Sequence, residues 1–348
     1  MTQSVSALRS VRDAGRTEGP YGRSAGLEEP RKVAAVEENG VHGTSAGGFG
    51  GQRAHVVQIG LGTFATVVQN LAGEPHEWDP VIAWLLEAVS ERRTESLRVV
   101  AVEPVLEHVQ RLRRLASKLP EVRLVQAAIS DRGEQDTKVH VLSGAAFDAL
   151  LSSAPTDLRS TLEVDLTYIR NMSCVGGEHP TLPLCRMRAM QNYGIDVCLE
   201  WYTTQVWTFQ RLARELDFCG CEVLLVDAEG HDAKILRSMM DHCRLQEAAG
   251  SMAWPDIIVF ESAGICDHHE GSDVEVDVVR QLEGCGYEVL LRSKMNTDMI
   301  RTQSWNGSQR LQRWVDGLFC TKCWRNKPWP LTFSSGSYYC RDCWAKCS

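Results

Sequence analysis

The sequence predicts an α/β fold: a mostly parallel sheet with helices on both faces, followed by a small C-terminal zinc ribbon. Three observations predict it. Residues 55 to 71, HVVQIGLGTFATVVQNL, read as a strand, a glycine turn and a helix; short β-rich runs then alternate with amphipathic helices as far as residue 305; and two CxxC pairs lie near the end of the chain, sixteen residues apart. Strands that alternate with helices pair in parallel, because each crossover helix packs back on the sheet. The resulting architecture is Rossmann-like.

The opening unit turns on Gly60 and Gly62 and continues with Phe64, Val67, Val68 and Leu71 at helical spacing. Glycines leave the backbone open to close approach, and the N–H groups at a helix start favour a polar or anionic group. A tight strand-to-helix turn with no ligand has the same signature.

Composition narrows the function classes. With 43% apolar and 24% charged residues in 348, the chain can bury a sizeable core, and its net charge of -8 argues against a whole-surface nucleic-acid binder. No apolar run approaches the length of a membrane span, and the first thirty residues lack the apolar segment of a signal peptide. The expected compartment is intracellular, cytoplasmic, with no membrane partner. The thirteen cysteines then read as reduced thiols and metal ligands, and the sequons at Asn171 and Asn306 carry no meaning.

In chain order, residues 1–53 are rich in Gly, Ser, Glu and Arg and read as a disordered arm; Glu28, Glu29, Glu37 and Glu38 count against a transit peptide. Asp79-Pro80 reads as an N-cap with proline in the first turn, opening a helix through Val89. Leu97 to Val102 is a strand ending on Glu103-Pro104. A helix follows, with Val105, Val109, Leu112, Ala116 and Leu119 on one face and Arg111, Arg113 and Arg114 as a solvated stripe. Val122 to Ala128 is the third strand, running into Ile129-Ser130-Asp131-Arg132-Gly133, and Lys138 to Leu142 reads as another.

From about 152 to 200 periodicity fades into a loop-rich insertion with Cys174, Gly176, Gly177, Pro180 and Pro183, the kind of segment that supplies the substrate side of a site. Helical spacing returns from Thr204 to Leu216. Cys221 to Val226 is apolar almost throughout, as a central parallel strand should be, and ends in Asp227-Ala228-Glu229-Gly230-His231-Asp232. A helix over 232–242, a strand from Ile257 to Phe260 ending on Glu261, a helix from Val274 to Leu282 and a strand from Tyr287 to Leu291 finish the sheet. Glu103, Asp227 and Glu261 thus stand at the carboxyl ends of predicted strands, the edge where open α/β sheets bind ligands.

Gly60-Leu61-Gly62-Thr63-Phe64-Ala65 also fits the loose dinucleotide pattern G-x-G-x-x-A. That pattern expects an acidic residue about 20 positions on, and Glu103 lies roughly twice as far away. An NAD(P)-dependent oxidoreductase is therefore the weaker reading.

The ordered set VVQIGLG, VVAVEP, VRLVQAAISDRG, LLVDAEGHDAKIL and IIVFES resembles the FkbM-type family of S-adenosylmethionine-dependent methyltransferases over residues 54–305. Its most specific piece is Val226-Asp227-Ala228-Glu229-Gly230. The resemblance implies that Gly60 and Gly62 lie against the methionine part of the cofactor, that Glu103 accepts hydrogen bonds from the ribose hydroxyls, and that Ala128, Ile129, Ser130 and Asp131 border the adenine. It places Asp227 and Glu229 toward the reacting methyl and its acceptor. Gln58 stands where the family has Asp or Glu; it offers an amide oxygen but no charge for the cofactor's amino group. Phe64 replaces a small residue.

Asp227 and Glu229 could equally cap the following helix. His231 is the candidate base, since an unperturbed imidazole titrates near neutrality, although a surface histidine at a helix start looks the same. His268 and His269 sit in a polar loop and suit metal, substrate or only water.

Cys320-x-x-Cys323 and Cys340-x-x-Cys343 have the spacing of a four-cysteine structural zinc site, with Cys347 a spare thiol. A segment this short needs the metal to fold. Trp324, Trp329, Phe333, Tyr338 and Tyr339 lie between the knuckles, and from residue 301 onward eight Lys and Arg oppose two Asp. Such a surface can contact a protein or single-stranded nucleic acid.

The expectation is an arm (1–53), a methyltransferase domain (54–305, insertion at about 152–200) and a zinc-ribbon module (306–348). The expected activity is methyl transfer from S-adenosylmethionine to an oxygen of a small-molecule or sugar-like acceptor. The non-enzymatic alternative is a degenerate methyltransferase fold serving as a scaffold, with the ribbon making the functional contact.

Overall fold

The computed structural model describes residues 31–32, 41–42, 49–61, 66–72, 97–119, 122–133, 136–171, 174–175, 197, 199–228, 230–261, 273–292, 296–303 and 339–340. The helix expected from Asp79 through Val89, the loop at 262–272 and all of the zinc ribbon but residues 339–340 lie outside them. Within 1–53, Arg31–Lys32 pairs with Glu200 and Trp201, Val41–His42 pairs with Leu124 and Val125, and Phe49 is buried.

The core is a mostly parallel, mixed sheet. Its long strands are β1 (Ala54–Ile59), β2 (Val99–Val102), β3 (Val122–Val125), β6 (Cys221–Val226), β7 (Ile257–Glu261), β8 (Tyr287–Arg292) and β9 (Asn296–Arg301); β4 (Thr137–Val141) and β5 (Glu200–Thr204) belong to a second sheet. The order across the main sheet is β8-β9-β7-β6-β1-β2-β3, with Tyr339–Cys340 on the outer edge of β8 and Val41–His42 beyond β3. From β7 to β3 every neighbouring pair is parallel, and only β9 runs against the others among these seven.

The parallel strands are largely apolar because both faces are covered. Val57, Ile59, Val100, Val102, Leu224, Val226, Ile258 and Phe260 face one side, where α5 (Phe209–Glu215), α6 (Asp232–Ala248) and α7 (Asp273–Gly284) pack Phe209, Leu212, Ile235, Leu236, Met239, Val278 and Leu282. Val56, Val99, Ala101, Leu124, Val223, Leu225 and Val259 face the other, under α1 (Thr66–Leu71) and α2 (Leu106–Ala116) with Val67, Val68, Val109 and Leu112. This is the three-layer arrangement that the alternating pattern predicts. Among the described residues, no helix is long and apolar enough to cross a membrane.

Three features differ from the sequence reading. β9 was not foreseen: the sequence reading ended the sheet at Leu291, yet Thr297, Asp298 and Arg301 are buried in a further strand between β7 and β8. Residues 138–142 do form a strand, but β4 pairs antiparallel with β5 in a sheet of its own, beside Arg31–Lys32 and Cys174–Val175. The helix expected from Thr204 starts instead at Phe209, where the Thr208 hydroxyl caps it by accepting the Arg211 N–H, since Trp201, Tyr202, Thr203 and Thr204 suit a strand.

The stretch from 152 onward contains helix as well as loop. α3 (Gly144–Ser153) is capped by Ser143, and α4 (Arg159–Asn171) turns Leu162, Leu166 and Ile169 onto one core with Leu142, Val197 and Leu199. That spacing of i, i+4, i+7 is a helical face in the sequence itself. β4, β5, α3 and α4 together form a small unit seated on the start of α2.

Candidate functional site

The site begins where β1, β2 and β6 end side by side. Gly60 follows β1 with φ 82°, a backbone region that suits glycine. Its N–H donates to the Val102 carbonyl at 2.9 Å, while the Asp227 N–H donates to the Ile59 carbonyl at 2.9 Å. A Cβ on Gly60 would lie 2.5 Å from the Asp227 carbonyl carbon and inside the envelope of its oxygen. The first glycine is therefore required by the neighbouring strand tip, independently of any ligand. Gly62 and Phe64 lie outside the described residues.

Glu103 closes β2. Its carboxylate, 2% exposed, accepts the Leu61 N–H through Oε2 and the Val105 N–H through Oε1, both at 2.8 Å, and His108 Nδ1 stands 3.5 Å from Oε1. Burial alone would raise its pKa, but hydrogen bonding and charge from His108, then the Leu61 and Val105 N–H groups, hold it below the usual carboxylate range. An ionised carboxylate is thus fixed between the glycine turn and the first turn of α2.

Gln58 is buried on the α1 side of β1. Its Oε1 accepts the Val67 N–H at 3.1 Å and its Nε2 reaches the Gly60 carbonyl at 3.5 Å. The amide oxygen expected to face a cofactor thus also braces the first turn of α1 from within the protein.

Asp227, at the end of β6, keeps surface open to water although protein crowds it closely. Desolvation, and after it the charge of Glu103, raises its pKa to about 6. Water reaching the carboxyl limits that rise. Asp232, with no exposed surface, is raised further, to about 8, by burial and then by the charge of Asp227.

Asp232 was missed in the sequence, where it reads as an ordinary acidic residue in a first helical turn. Its Oδ2 accepts the Ala228 N–H at 3.2 Å and its Oδ1 accepts the Glu261 N–H at 3.3 Å, so one side chain joins the turn after β6 to the end of β7. Glu261 is buried there. No local pattern could reveal this, because 261 comes next to 232 only in the sheet. His231 stands at the N-cap of α6 without a side-chain capping bond, half-buried, its backbone N–H donating to the Ala228 carbonyl at 3.3 Å. Glu229 is outside the described residues.

Ala128, Ile129 and Ser130 continue from β3 as a buried strip. Ala128 and Ile129 pair in parallel with Val206 and Trp207; the Ala128 and Ser130 N–H groups donate to the Gln205 and Trp207 carbonyls, each at 2.9 Å. Ser130 Oγ donates to Asp131 Oδ1 at 3.2 Å.

The structure thus brings Gly60, Glu103 and Asp227 to one edge, with Gln58 beneath them and Asp232 behind. An ionised carboxylate and a second one poised near pH 6 can accept hydrogen bonds from hydroxyls, receive a proton near neutrality, and favour a cationic group. His268, His269 and the side chains of Cys320, Cys323, Cys340 and Cys343 are not among the described residues; within those that are, no group of three or more His, Cys, Asp or Glu is arranged to hold a metal. Comparison with known proteins finds no family model, no curated sequence and no solved structure that matches the chain.

Proposed function

We propose that the chain is an S-adenosylmethionine-dependent methyltransferase of FkbM type, acting on an oxygen of a small-molecule or sugar-like acceptor. The observation that carries the reading is the Glu103 carboxylate, ionised and pinned by the Leu61 and Val105 N–H groups at the tip of β2, beside Asp227 at the tip of β6. Bound there, the cofactor supplies a methyl group on a sulfonium. Glu103 would take the ribose hydroxyls, Gly60 the methionine part with Gly62, and Ala128 to Asp131 the adenine.

Methyl transfer is an in-line displacement, so the protein mainly aligns donor and acceptor. Asp227, with Glu229 and His231 following, would orient the acceptor hydroxyl and receive its proton. A carboxylate titrating near pH 6 suits that task at neutrality.

The sheet order weighs against the NAD(P) reading. A dinucleotide fold joins two parallel βαβαβ halves, whereas here the strand beside β7 is antiparallel β9, which interrupts the second half. The zinc ribbon is proposed on the spacing of Cys320, Cys323, Cys340 and Cys343 alone, as a structural Zn2+ site beside the catalytic domain. We place the protein in the cytoplasm on the same sequence grounds.

One observation favours a second reading, the degenerate scaffold whose ribbon binds a protein or nucleic-acid partner. Gln58 has no charge for a cofactor's amino group and bonds to Val67 and Gly60 instead. Calorimetric titration of the zinc-loaded protein separates the cases. Binding of S-adenosylhomocysteine but not NAD, lost in Glu103→Ala, supports the methyltransferase; binding of neither supports the scaffold, and preference for NAD overturns both.

A further inference from the structure

The first turn of α2 does two jobs. Its Val105 N–H holds Glu103, and its neighbours hold the unit formed by β4, β5, α3 and α4. Tyr202, on β5, reaches across with a hydroxyl that accepts the Leu106 N–H at 2.7 Å and donates to the Pro104 carbonyl at 2.9 Å. These two bonds flank Val105, the residue that holds Glu103 Oε1. The Tyr202 ring is buried with Val105, Val139 and Val141, and Leu106 packs against the same cluster. A second contact lies at the rim, where Glu107 accepts the Gly144 N–H at 3.0 Å and pairs with Arg170 at 3.3 Å.

We propose that Tyr202 is the positioning residue for Glu103: its hydroxyl fixes Pro104 to Leu106, and so makes affinity for the ribose hydroxyls depend on this one contact from β5. The proposal rests on the methyltransferase reading. It follows from the geometry, because one hydroxyl satisfies a helix-end donor and the carbonyl on the other side of Val105. Since α4 of that unit falls in the insertion expected to supply the acceptor side, the same contact links that side to the cofactor carboxylate.

Tyr202→Phe keeps the ring and removes only the hydroxyl, so the cluster stays packed. The full-length protein and this variant are titrated with S-adenosylhomocysteine and with its 2′,3′-dideoxy analogue, which lacks both ribose hydroxyls. The expected result is a roughly three- to tenfold weaker affinity for S-adenosylhomocysteine with little change for the analogue, from the loss of one buried hydroxyl's bonds. The ratio of the two affinities is the decisive reading, because general loosening of the fold weakens both ligands together and leaves it unchanged. Arg170→Ala loosens the rim contact and keeps Tyr202, and should hold the wild-type ratio. An unchanged ratio in Tyr202→Phe, or an equal fall in Arg170→Ala, overturns the assignment. Wild-type protein that binds neither ligand overturns the methyltransferase reading and this inference with it, whereas wild-type binding with an unchanged ratio in the variant overturns the inference alone.

Discussion

Asp232→Asn tests how the candidate site is held together. The carboxyl lies fully inside, its pKa lifted from 3.8 to about 8 by burial and by Asp227, although the backbone N–H groups of Glu261, Ala228 and Asp232 itself pull the other way. A group whose folded pKa exceeds its unfolded one binds more protons when folded, so it makes stability fall as pH rises between the two values. The window runs from about pH 4 to about pH 8. Its slope is at most about 1.4 kcal/mol per pH unit, the value of one proton.

Between pH 6 and 8 Asp227 completes its ionisation in both proteins, whereas Asp232 titrates only in the wild type. Over those two units the wild type should lose up to about 2.7 kcal/mol that the Asn variant does not. The variant also replaces an acceptor oxygen by an NH2 group facing a backbone N–H, which should lower its whole curve by about 1–3 kcal/mol. Offset and slope are therefore separate readings. Urea unfolding of both proteins at closely spaced pH values measures them, with intrinsic tryptophan fluorescence as the signal. Parallel curves for the two proteins between pH 6 and 8 would refute the argument that Asp232 is neutral in the fold near pH 7.

Gly60→Ala should destabilise by several kcal/mol, combining left-handed backbone strain of about 1–2 kcal/mol with displacement of the Asp227 carbonyl, and should abolish binding of S-adenosylhomocysteine. Thermal denaturation and calorimetry check it, and wild-type stability would contradict the packing of β1 on β6. Asp227→Asn should lower turnover about a hundredfold and remove the acid limb near pH 6 from the rate profile, while leaving Tm little changed. Elemental analysis should find one Zn2+ per chain, lost in Cys320→Ser; a metal-free wild type would remove the ribbon from the proposal.

The strands at the centre were legible because burial on both faces leaves few polar positions: Cys221 to Val226 and Ile257 to Phe260 can be read by eye. The site inherited that legibility, since Glu103 and Asp227 end such runs. β9 was not legible, because Thr297, Asp298 and Arg301 are buried polar residues, two of which, Asp298 and Arg301, have partners that only the fold supplies. α4 was readable from Leu162, Leu166 and Ile169, but the glycines, prolines and cysteines that follow drew the reading toward loop. Asp232 and Tyr202 lay beyond any local pattern. Each acts on residues brought near by the sheet, at 261 and at 104 to 106, and their own neighbours in sequence are unremarkable for a helix start and a strand.

The place of β9 bears on how the chain can be made. β7 and β8 are synthesised before it, yet neither pairs with the other; each awaits the antiparallel strand that slots between them. Until residue 301 has emerged, the growing chain carries two unsatisfied strand edges in its middle, a template for pairing with other chains. A chain cut before Asn296 keeps that gap permanently, so the edge from Ile257 to Arg292 depends on a strand made after both of its neighbours.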